Sequence, residues 1–152
     1  MRLEPIEKSG ATRAPTQGAS EVVAQIIEAT LSLYGRRGYE VPWTGYLAVE
    51  AGHIVGSCGF AGPPIDGEVE IAYFTFPGHE HQGVATRMAR ALLTLCGPAA
   101  SSTGVLFIAH TLPEEGPSTS VLRKLGFRNV GEIQHPEDGR VWKWSQHGPS
   151  EA

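Results

Sequence analysis

Two histidines, separated by one glutamate, precede a glycine in the stretch PGHEHQGVATRMARALL, residues 77–93. Imidazole and carboxylate groups bind metal ions, so His79, Glu80 and His81 form one candidate site. A second interpretation lies in the backbone around Gly83, because N–H groups at the start of a helix lack partners and bind anions such as pyrophosphate. Zinc needs at least three ligands and no nearby residue is a convincing third, so we expect no metal. An anion site and an ordinary turn with two solvated histidines both remain open at this point.

The elements around this motif are predicted to be a strand, a helix and a second strand. Apolar residues from Val84 to Leu95 recur at three and four positions and predict a helix, which Gly97 and Pro98 are expected to end. The nearly unbroken apolar run GVLFIAHTL, residues 104–112, is typical of a strand buried on both faces. We expect it to lie parallel to the strand that precedes the helix.

Similar patterns predict the other elements. A helix is expected from Ser20, which can cap it, to Gly35 and Gly38, which end it. Residues 8–19, rich in Gly, Pro, Ser and Thr, are expected to form a flexible loop, and residues 146–152 a frayed tail. The remaining predicted elements are strands over 2–7, 45–50, 53–60 and 68–76, a helix in PSTSVLRKLGF, and a terminal hairpin of RNVGEIQ and RVWKWS. This order indicates an α+β fold with a mixed, mostly antiparallel sheet and one parallel β-α-β unit.

Composition limits the function classes. A chain of 152 residues with 41% hydrophobic content is the size of one domain, so residues 1–152 are expected to form a single domain. A net charge of -4, with its lysines and arginines scattered, argues against nucleic acid as a partner. The sequence contains neither an apolar run long enough to cross a membrane nor an apolar secretory start, so we expect a cytoplasmic protein with no membrane partner.

The ordered motifs VEIAYFTFPGHEHQGVATRMARALL and PEEGPSTSVLRKLGF, separated by the buried strand, resemble those of the GCN5-related N-acetyltransferase (GNAT) superfamily. The sequence looks most like the branch with the ribosomal-protein alanine N-acetyltransferases, and the resemblance covers about Tyr46 to Ser145. It implies the GNAT-like acyl-CoA N-acyltransferase fold, with a splayed central strand pair. It also implies that acetyl-CoA is the co-substrate and that a primary amine, on a small molecule or a peptide, accepts the acetyl group.

The resemblance assigns residues to the coenzyme. A six-residue pattern binds the pyrophosphate through backbone amides, and here it falls on Glu80, His81, Gln82, Gly83, Val84 and Ala85. Glu80 departs from the usual Arg or Gln, and a carboxylate repels pyrophosphate unless it points away. Thr86 and Arg87 are expected to add a hydroxyl and a charge. Phe74, Thr75 and Phe76 are expected to pair their backbone with the pantetheine arm, while Glu115 and Ser118 fall on the second coenzyme motif, where Ser118 is also a natural helix cap.

For the catalytic groups, the resemblance points to a carboxylate base on the strand before the helix, which places Glu70 in that role. A base is needed because an ammonium group must lose a proton before it attacks a carbonyl. His110 in the buried strand is the second candidate. Many relatives carry a tyrosine that protonates the leaving thiolate, but this sequence has Leu122 there, so we assign no general acid and keep Tyr73 as the nearest substitute.

The acceptor is less defined. Tyr34, Tyr39 and Trp43, near the end of the first helix, are expected to form an aromatic wall for a cation. Two alternatives to an acetyltransferase remain: a module that binds the coenzyme without turnover, and a metal-dependent enzyme using His79 and His81. A homodimer is expected only if the RVWKWS strand lies at a sheet edge.

Overall fold

Seven strands form a single sheet in the order β1-β2-β3-β4-β5-β7-β6. The structure is a computed structural model, and it describes residues 1–146. The elements in chain order are β1 (Arg2–Pro5), α1 (Glu21–Arg37), β2 (Gly45–Glu50), β3 (His53–Phe60), β4 (Glu68–Thr75), α2 (Val84–Thr103), β5 (Leu106–Thr111), α3 (Pro117–Lys124), β6 (Phe127–His135) and β7 (Gly139–Gln146). This order confirms the predicted α+β class, and no helix among the described residues is long and apolar enough to cross a membrane.

The β4–β5 pair is parallel and every other neighbouring pair is antiparallel, as predicted. The two parallel strands pair only from Glu68 opposite Leu106 to Glu70 opposite Ile108. Beyond that point β4 pairs with β3 alone and β5 with β7 alone, so the two strands splay apart. The splay leaves backbone N–H and C=O groups without sheet partners on the two facing edges.

The two faces of the sheet have separate cores because alternate residues of a strand point to opposite sides. On one face, Met88 and Leu92 of α2 pack with Val69 and Trp144, and all four are almost completely buried. On the other face, α1 covers a smaller cluster that includes Leu47. Glu68 and Glu70 of β4 alternate with the core residues Val69 and Ile71, so they point toward the α1 face.

The predicted end of α2 is wrong. The helix continues through Gly97 and Pro98 and ends at Gly104, which has a left-handed φ of 71° and donates its N–H to the carbonyl of Ala100. Pro98 is exposed, so its ring and missing N–H interrupt only the solvent side of the helix. Burial of Cys96 and Ala100 on the core side keeps the helix continuous across the proline.

Two cap predictions also need correction. Gly35 lies inside α1, which ends at Gly38 as the second predicted stop. Ser118 does not cap α3, because Gly116 is the N-cap and the N–H of Gly116 donates to the hydroxyl of Thr119 at 2.9 Å. Ser118 therefore lies in the first turn of α3 with its side chain free of the capping role.

The terminal hairpin forms as predicted, but its second strand is not at the sheet edge. β7 lies between β5 and β6, so β6 and β1 are the edges and the RVWKWS strand cannot pair with a second copy. Residues 8–19 contain no helix or strand, as expected, although Ala14 packs into the α1-face cluster. The predicted frayed tail lies, from residue 147 onward, outside the described residues.

Candidate active site

The start of α2 presents unpartnered backbone amides. Gly83 is the N-cap and adopts a left-handed φ of 75°, a conformation that favours glycine. Val84 anchors the first turn because its side chain is 2% exposed in the core. Within the described part of the chain, the N–H groups of Val84, Ala85 and Thr86 have no hydrogen-bond partner. The first hydrogen bond of the helix is the one that the N–H of Arg87 donates to the carbonyl of Gly83. These amides and the positive end of the helix dipole suit an anion.

A cleft of about 510 Å³ lies beside this helix start, between the end of β4 and α3. It brings together nine of the residues that the sequence assigned to the coenzyme: Phe74, Thr75, Glu80, His81, Gly83, Val84, Ala85, Thr86 and Ser118. The cleft opens where β4 has left β5, so an extended ligand there meets the free edge of β4. Its shape and position fit a ligand with a polar arm and a phosphate end.

Arg87 does not contribute a free charge to this cleft. Its guanidinium binds both carboxylate oxygens of Glu50, at 2.8 and 2.9 Å, and also donates to the carbonyl of Gln82 at 2.7 Å. This pairing lowers the pKa of Glu50. Arg87 therefore braces the loop before α2, and Gln82 takes part through that contact, so the charge of Arg87 is already paired within the chain.

Two further assignments to the coenzyme are corrected. Phe76 is 3% exposed, packs in the α1-face core and donates its backbone N–H to Val55, so its amide is not available to pantetheine. Glu115 forms an ion pair with Arg123 and accepts a hydrogen bond from Thr119 at 3.0 Å. The hydrogen bond from Arg123 is the larger reason that the pKa of Glu115 falls to about 2. Glu115 is not among the residues that line the cleft.

The unusual Glu80 is accommodated by its own loop. Its Oε1 accepts the N–H of Gly78 at 3.1 Å, which turns the carboxylate back toward the residues before it. Lys124 of α3 lines the cleft and brings a positive charge to it. The sequence reasoning missed Lys124, although Pro117, Val121 and Lys124 recur at four and three positions on one helix face.

Tyr73 reaches across the splayed strands. Its side chain lines the cleft, and its hydroxyl donates to the carbonyl of Ser118 at 3.2 Å. Burial raises the pKa of Tyr73 to about 12, so the phenol keeps its proton at neutral pH. Leu122, at the position of the family's tyrosine, is completely buried in the core and has no polar group to offer.

A second cleft, of about 420 Å³, lies on the α1 face and contains both predicted catalytic residues. Oε1 of Glu70 lies 3.1 Å from Nδ1 of His110 and 3.8 Å from Nε2 of His135. Nδ1 of His110 is buried and makes no hydrogen bond of good geometry within the described residues, despite the short contact. The rings of His110 and His135 meet edge to face at 4.9 Å. Sequence reasoning missed His135, because only the register of β6 and β7 brings it to Glu70.

The hairpin turn fixes the tautomer of His135. Its Nδ1 accepts backbone N–H groups of Glu137 and Asp138 at 3.1 and 3.2 Å. The Asp138 carboxylate is 3.5 Å from the same nitrogen, but this side chain is 62% exposed and the shorter amide contacts decide the assignment. An acceptor nitrogen carries no proton, so the neutral ring carries its proton on Nε2, toward Glu70.

This tautomer bears on metal binding. The ligand atoms of Glu70, His110 and His135 lie within 4.8 Å of one another, a donor set of the kind that holds catalytic zinc. A metal on Nε2 of His135 would force the proton onto Nδ1, where two amide donors already point. The cluster therefore suits proton handling better than metal binding. Among the described residues, His79 and His81 belong to no group of three ligands this close.

The predicted aromatic wall is part of the interior instead. The Tyr34 hydroxyl donates to the carbonyl of Ile6 at 2.7 Å and accepts the N–H of Gly45 at 2.9 Å, so it ties β1 to β2. Trp43 is 5% exposed and packs against Phe60 in the core. Tyr39 packs edge to face on Tyr34. None of the three aromatic residues lines the Glu70 cleft.

Solved structures with the same arrangement are acetyltransferases. The Salmonella typhimurium acetyltransferase that modifies the N-terminal serine of a ribosomal protein superposes with a TM-score of 0.65 at 16% identity, covering 95% of this chain and 92% of that one. A ribosomal-protein α-N-acetyltransferase in complex with coenzyme A gives 0.66 at 18% identity, with 95% and 92% covered. A chimera that includes the Vibrio cholerae spermidine N-acetyltransferase gives 0.64 at 12% identity, with 96% and 95% covered. These likenesses establish the acyl-CoA N-acyltransferase fold.

The family follows from the sequence comparison. The model of the acetyltransferase (GNAT) domain family matches residues 9–128, most of the chain. The chain therefore belongs to the GNAT acetyltransferase family, and its class is that of the acetyl-CoA-dependent N-acetyltransferases. The comparison with curated proteins finds no match.

Proposed function

We propose that this enzyme transfers the acetyl group of acetyl-CoA directly to a primary amine, with Glu70 as the general base. One observation carries the proposal: Glu70 is the last β4 residue paired with β5, so its carboxylate stands where the strands open. Its close partners are two imidazoles, and no Lys or Arg among the described residues forms an ion pair with it. A carboxylate that no fixed cation neutralises is suited to bind an ammonium group and accept its proton.

The coenzyme would lie in the cleft beside α2. The amides of Val84, Ala85 and Thr86 would bind the pyrophosphate, and Lys124 would add the positive charge that Glu80 does not provide. The pantetheine arm would run along the free edge of β4 near Phe74 and Thr75. The thioester would then reach the splay, next to Glu70.

The reaction follows from these positions. Glu70 takes one proton from the bound ammonium, and the free amine attacks the thioester carbonyl to form a tetrahedral intermediate. Backbone N–H groups at the splayed edges stabilise its oxyanion. The C–S bond then breaks and the coenzyme leaves as a thiolate, while the nitrogen releases its second proton to give the neutral amide. That proton, relayed by water or through the Tyr73 hydroxyl, protonates the thiolate. His110 and His135 flank the Glu70 carboxylate through this cycle, with Nδ1 of His110 at 3.1 Å and Nε2 of His135 at 3.8 Å.

The acceptor is a primary amine, borne by either a small molecule or a peptide. Solved relatives act on a ribosomal protein amino terminus in one case and bear the name of spermidine in another. The base and the coenzyme site proposed here serve either carrier.

Replacement of Glu70 by Gln tests the base. Glutamine keeps the shape of the side chain but cannot accept the proton, so we expect kcat at pH 7 to fall about 10²- to 10³-fold with KM for acetyl-CoA nearly unchanged. Thiol release from acetyl-CoA with a panel of primary amines measures both values. Glu132→Gln, which removes an exposed carboxylate paired with Arg140, is the matched control and should retain the wild-type rate.

Two results would overturn the proposal. Wild-type thiol release by Glu70→Gln would remove Glu70 from the base role while leaving the coenzyme site intact. Absence of binding in a calorimetric titration with acetyl-CoA at millimolar concentration would remove the coenzyme site itself.

A further inference from the structure

We propose that the cleft beside Glu70 binds a small primary amine carried on an apolar alkyl or aryl group. This inference rests on the proposed function, because it takes Glu70 as the group that receives the ammonium. It goes beyond that function by naming the class of acceptor. Its support comes from the surroundings of the carboxylate rather than from the carboxylate itself.

Five apolar side chains contribute to the lining of the cleft. Ile65 at the β3–β4 turn is 63% exposed and Ile133 of β6 is 38% exposed, and both line the cleft with Pro63, Pro64 and Pro136. These side chains come from two separate loops and a strand, yet they surround one opening. Single exposed apolar side chains are common on protein surfaces, whereas five of them lining a cleft beside a carboxylate are typical of a ligand site. We call these five residues the apolar collar. An apolar group attached to the amine would cover this collar and gain from its burial.

The charges in the cleft favour one ammonium rather than several. Glu68 is already paired with Lys143, whose Nζ lies 2.9 and 3.1 Å from its carboxylate oxygens. Asp66 lies exposed in the turn at the mouth, where water screens its attraction for a second cation. Lys143 and Arg37 also line the cleft, but each is paired, with Glu68 and Glu137, so neither pair leaves a carboxylate free for a second ammonium. The carboxylate left for the substrate is Glu70, and a monoamine matches it better than a polyamine.

The size and closure of the cleft favour a small molecule over an extended peptide. Its volume of about 420 Å³ lies within the usual range of small-ligand sites. One side is closed by the ion pair of Arg37, at the end of α1, with Glu137 in the hairpin turn. Arg36 contacts the same carboxylate at 3.7 Å. A peptide chain running across the cleft would have to break this link.

A matched pair of amines tests the class. Hexylamine and hexamethylenediamine have the same carbon chain and differ by one terminal amino group. We expect kcat/KM for hexylamine to exceed that for the diamine by about tenfold or more, since the second ammonium replaces apolar contact and has only the solvent-screened Asp66 as a possible partner. Phenethylamine should behave like hexylamine, and spermidine and a short peptide with an apolar amino-terminal residue should be poor acceptors. Thiol release measures all five.

Variants of the collar test its location. Ile65→Ser and Ile133→Ser should each raise KM for hexylamine about fivefold, with KM for acetyl-CoA unchanged, because each removes apolar contact area near the mouth. Val130→Ser is the control: Val130 is 50% exposed on the same strand as Ile133 but does not line the cleft. It should leave both KM values unchanged, and all three proteins should bind acetyl-CoA in a calorimetric titration.

The outcomes separate the two proposals. Preference for the diamine, spermidine or the peptide, with thiol release still dependent on Glu70, overturns the apolar-amine inference and leaves the proposed function standing. Wild-type KM values for hexylamine in the Ile65 and Ile133 variants also overturn it. Absence of thiol release with every amine, or release that survives Glu70→Gln, overturns the proposed function and with it this inference.

Discussion

At the level of single residues, the two nitrogens of His135 serve different partners. Nδ1 accepts the two amides of the hairpin turn, while Nε2 faces the Glu70 carboxylate. The ring therefore orients Glu70 and keeps the turn closed at the same time. These two roles can be separated experimentally, because a shorter side chain can replace one of them without the other.

We expect His135→Asn to keep the fold and lose activity. An asparagine oxygen can accept the turn amides, as in an Asx turn, but its amide group cannot reach Glu70. The 3.8 Å contact between Nε2 and Glu70 is then lost, so kcat should fall by up to about tenfold while Tm stays near the wild-type value. His135→Ala, which loses both contacts, should lower Tm as well, and an Asn variant with wild-type kcat and KM would show that His135 serves the turn alone.

At the level of elements, α2 carries the proposed coenzyme site at one end and a proline near the other. Gly83 and the free amides begin the helix, and Gly104 ends it more than one turn beyond Pro98. Because Pro98 lacks an N–H, the carbonyl of Thr94 loses its helical partner. The helix tolerates this defect since Leu92, Cys96 and Ala100 bury its core side on both sides of the proline.

Pro98→Ala should therefore stabilise the protein. Alanine restores the missing hydrogen bond at an exposed position, and we expect the free energy of unfolding to rise by about 1–3 kcal/mol in urea. Gly97→Ala is the companion variant: a Cβ there meets nothing within 4 Å, so it should add about 0.5–1 kcal/mol. If the helix ended at Gly97, neither substitution would stabilise the protein. Unchanged free energies of unfolding in both variants would therefore contradict a helix that continues through Pro98. Thiol release should be unchanged in both.

At the level of the whole molecule, the sheet separates two clefts and joins them at one opening. The coenzyme cleft lies against α2 and α3, and the Glu70 cleft lies on the α1 face. The splay of β4 from β5 is the point where a thioester from one side can meet an amine from the other. Tyr73 stands at this junction, and the core residue Cys58 pairs with it across β3 and β4.

Burial of these two groups predicts a loss of stability in alkali. Burial raises the pKa of the Cys58 thiol from its ordinary 9.0 to about 12 and that of Tyr73 from 10.0 to about 12. Because the folded values exceed the unfolded ones, their contribution is complete below pH 9 and is lost as the pH rises toward about 12. Urea unfolding at a series of pH values should show this decline. Cys58→Ala and Tyr73→Phe should each flatten part of the curve, and a wild-type free energy that stays level from pH 9 to 12 would contradict the assignment.

Local patterns predicted much of this protein from its sequence. Apolar periodicity located each strand and helix because burial of one face requires it, and Gly83 marked the helix start because its φ is left-handed. The run of residues 104–112 was predicted as a buried strand, and Phe107, Ile108 and Ala109 are indeed buried in succession. These features depend on residues that are close together in the sequence, so local sequence patterns are enough to predict them.

Local patterns could not predict contacts between segments that are distant in the sequence. His135 meets Glu70 through the registers of three strand pairs, β4–β5, β5–β7 and β7–β6. Lys124 reaches the cleft beside the start of α2 because α3 packs next to it, and Arg87 turns to Glu50, 37 positions earlier. Pro98 signals a helix end locally, but burial against the sheet outweighs the single hydrogen bond that it removes. Types and spacing of residues thus indicated the family motifs and pointed to Glu70 as the proposed base, while the partners that surround each site came from the packing of the folded chain.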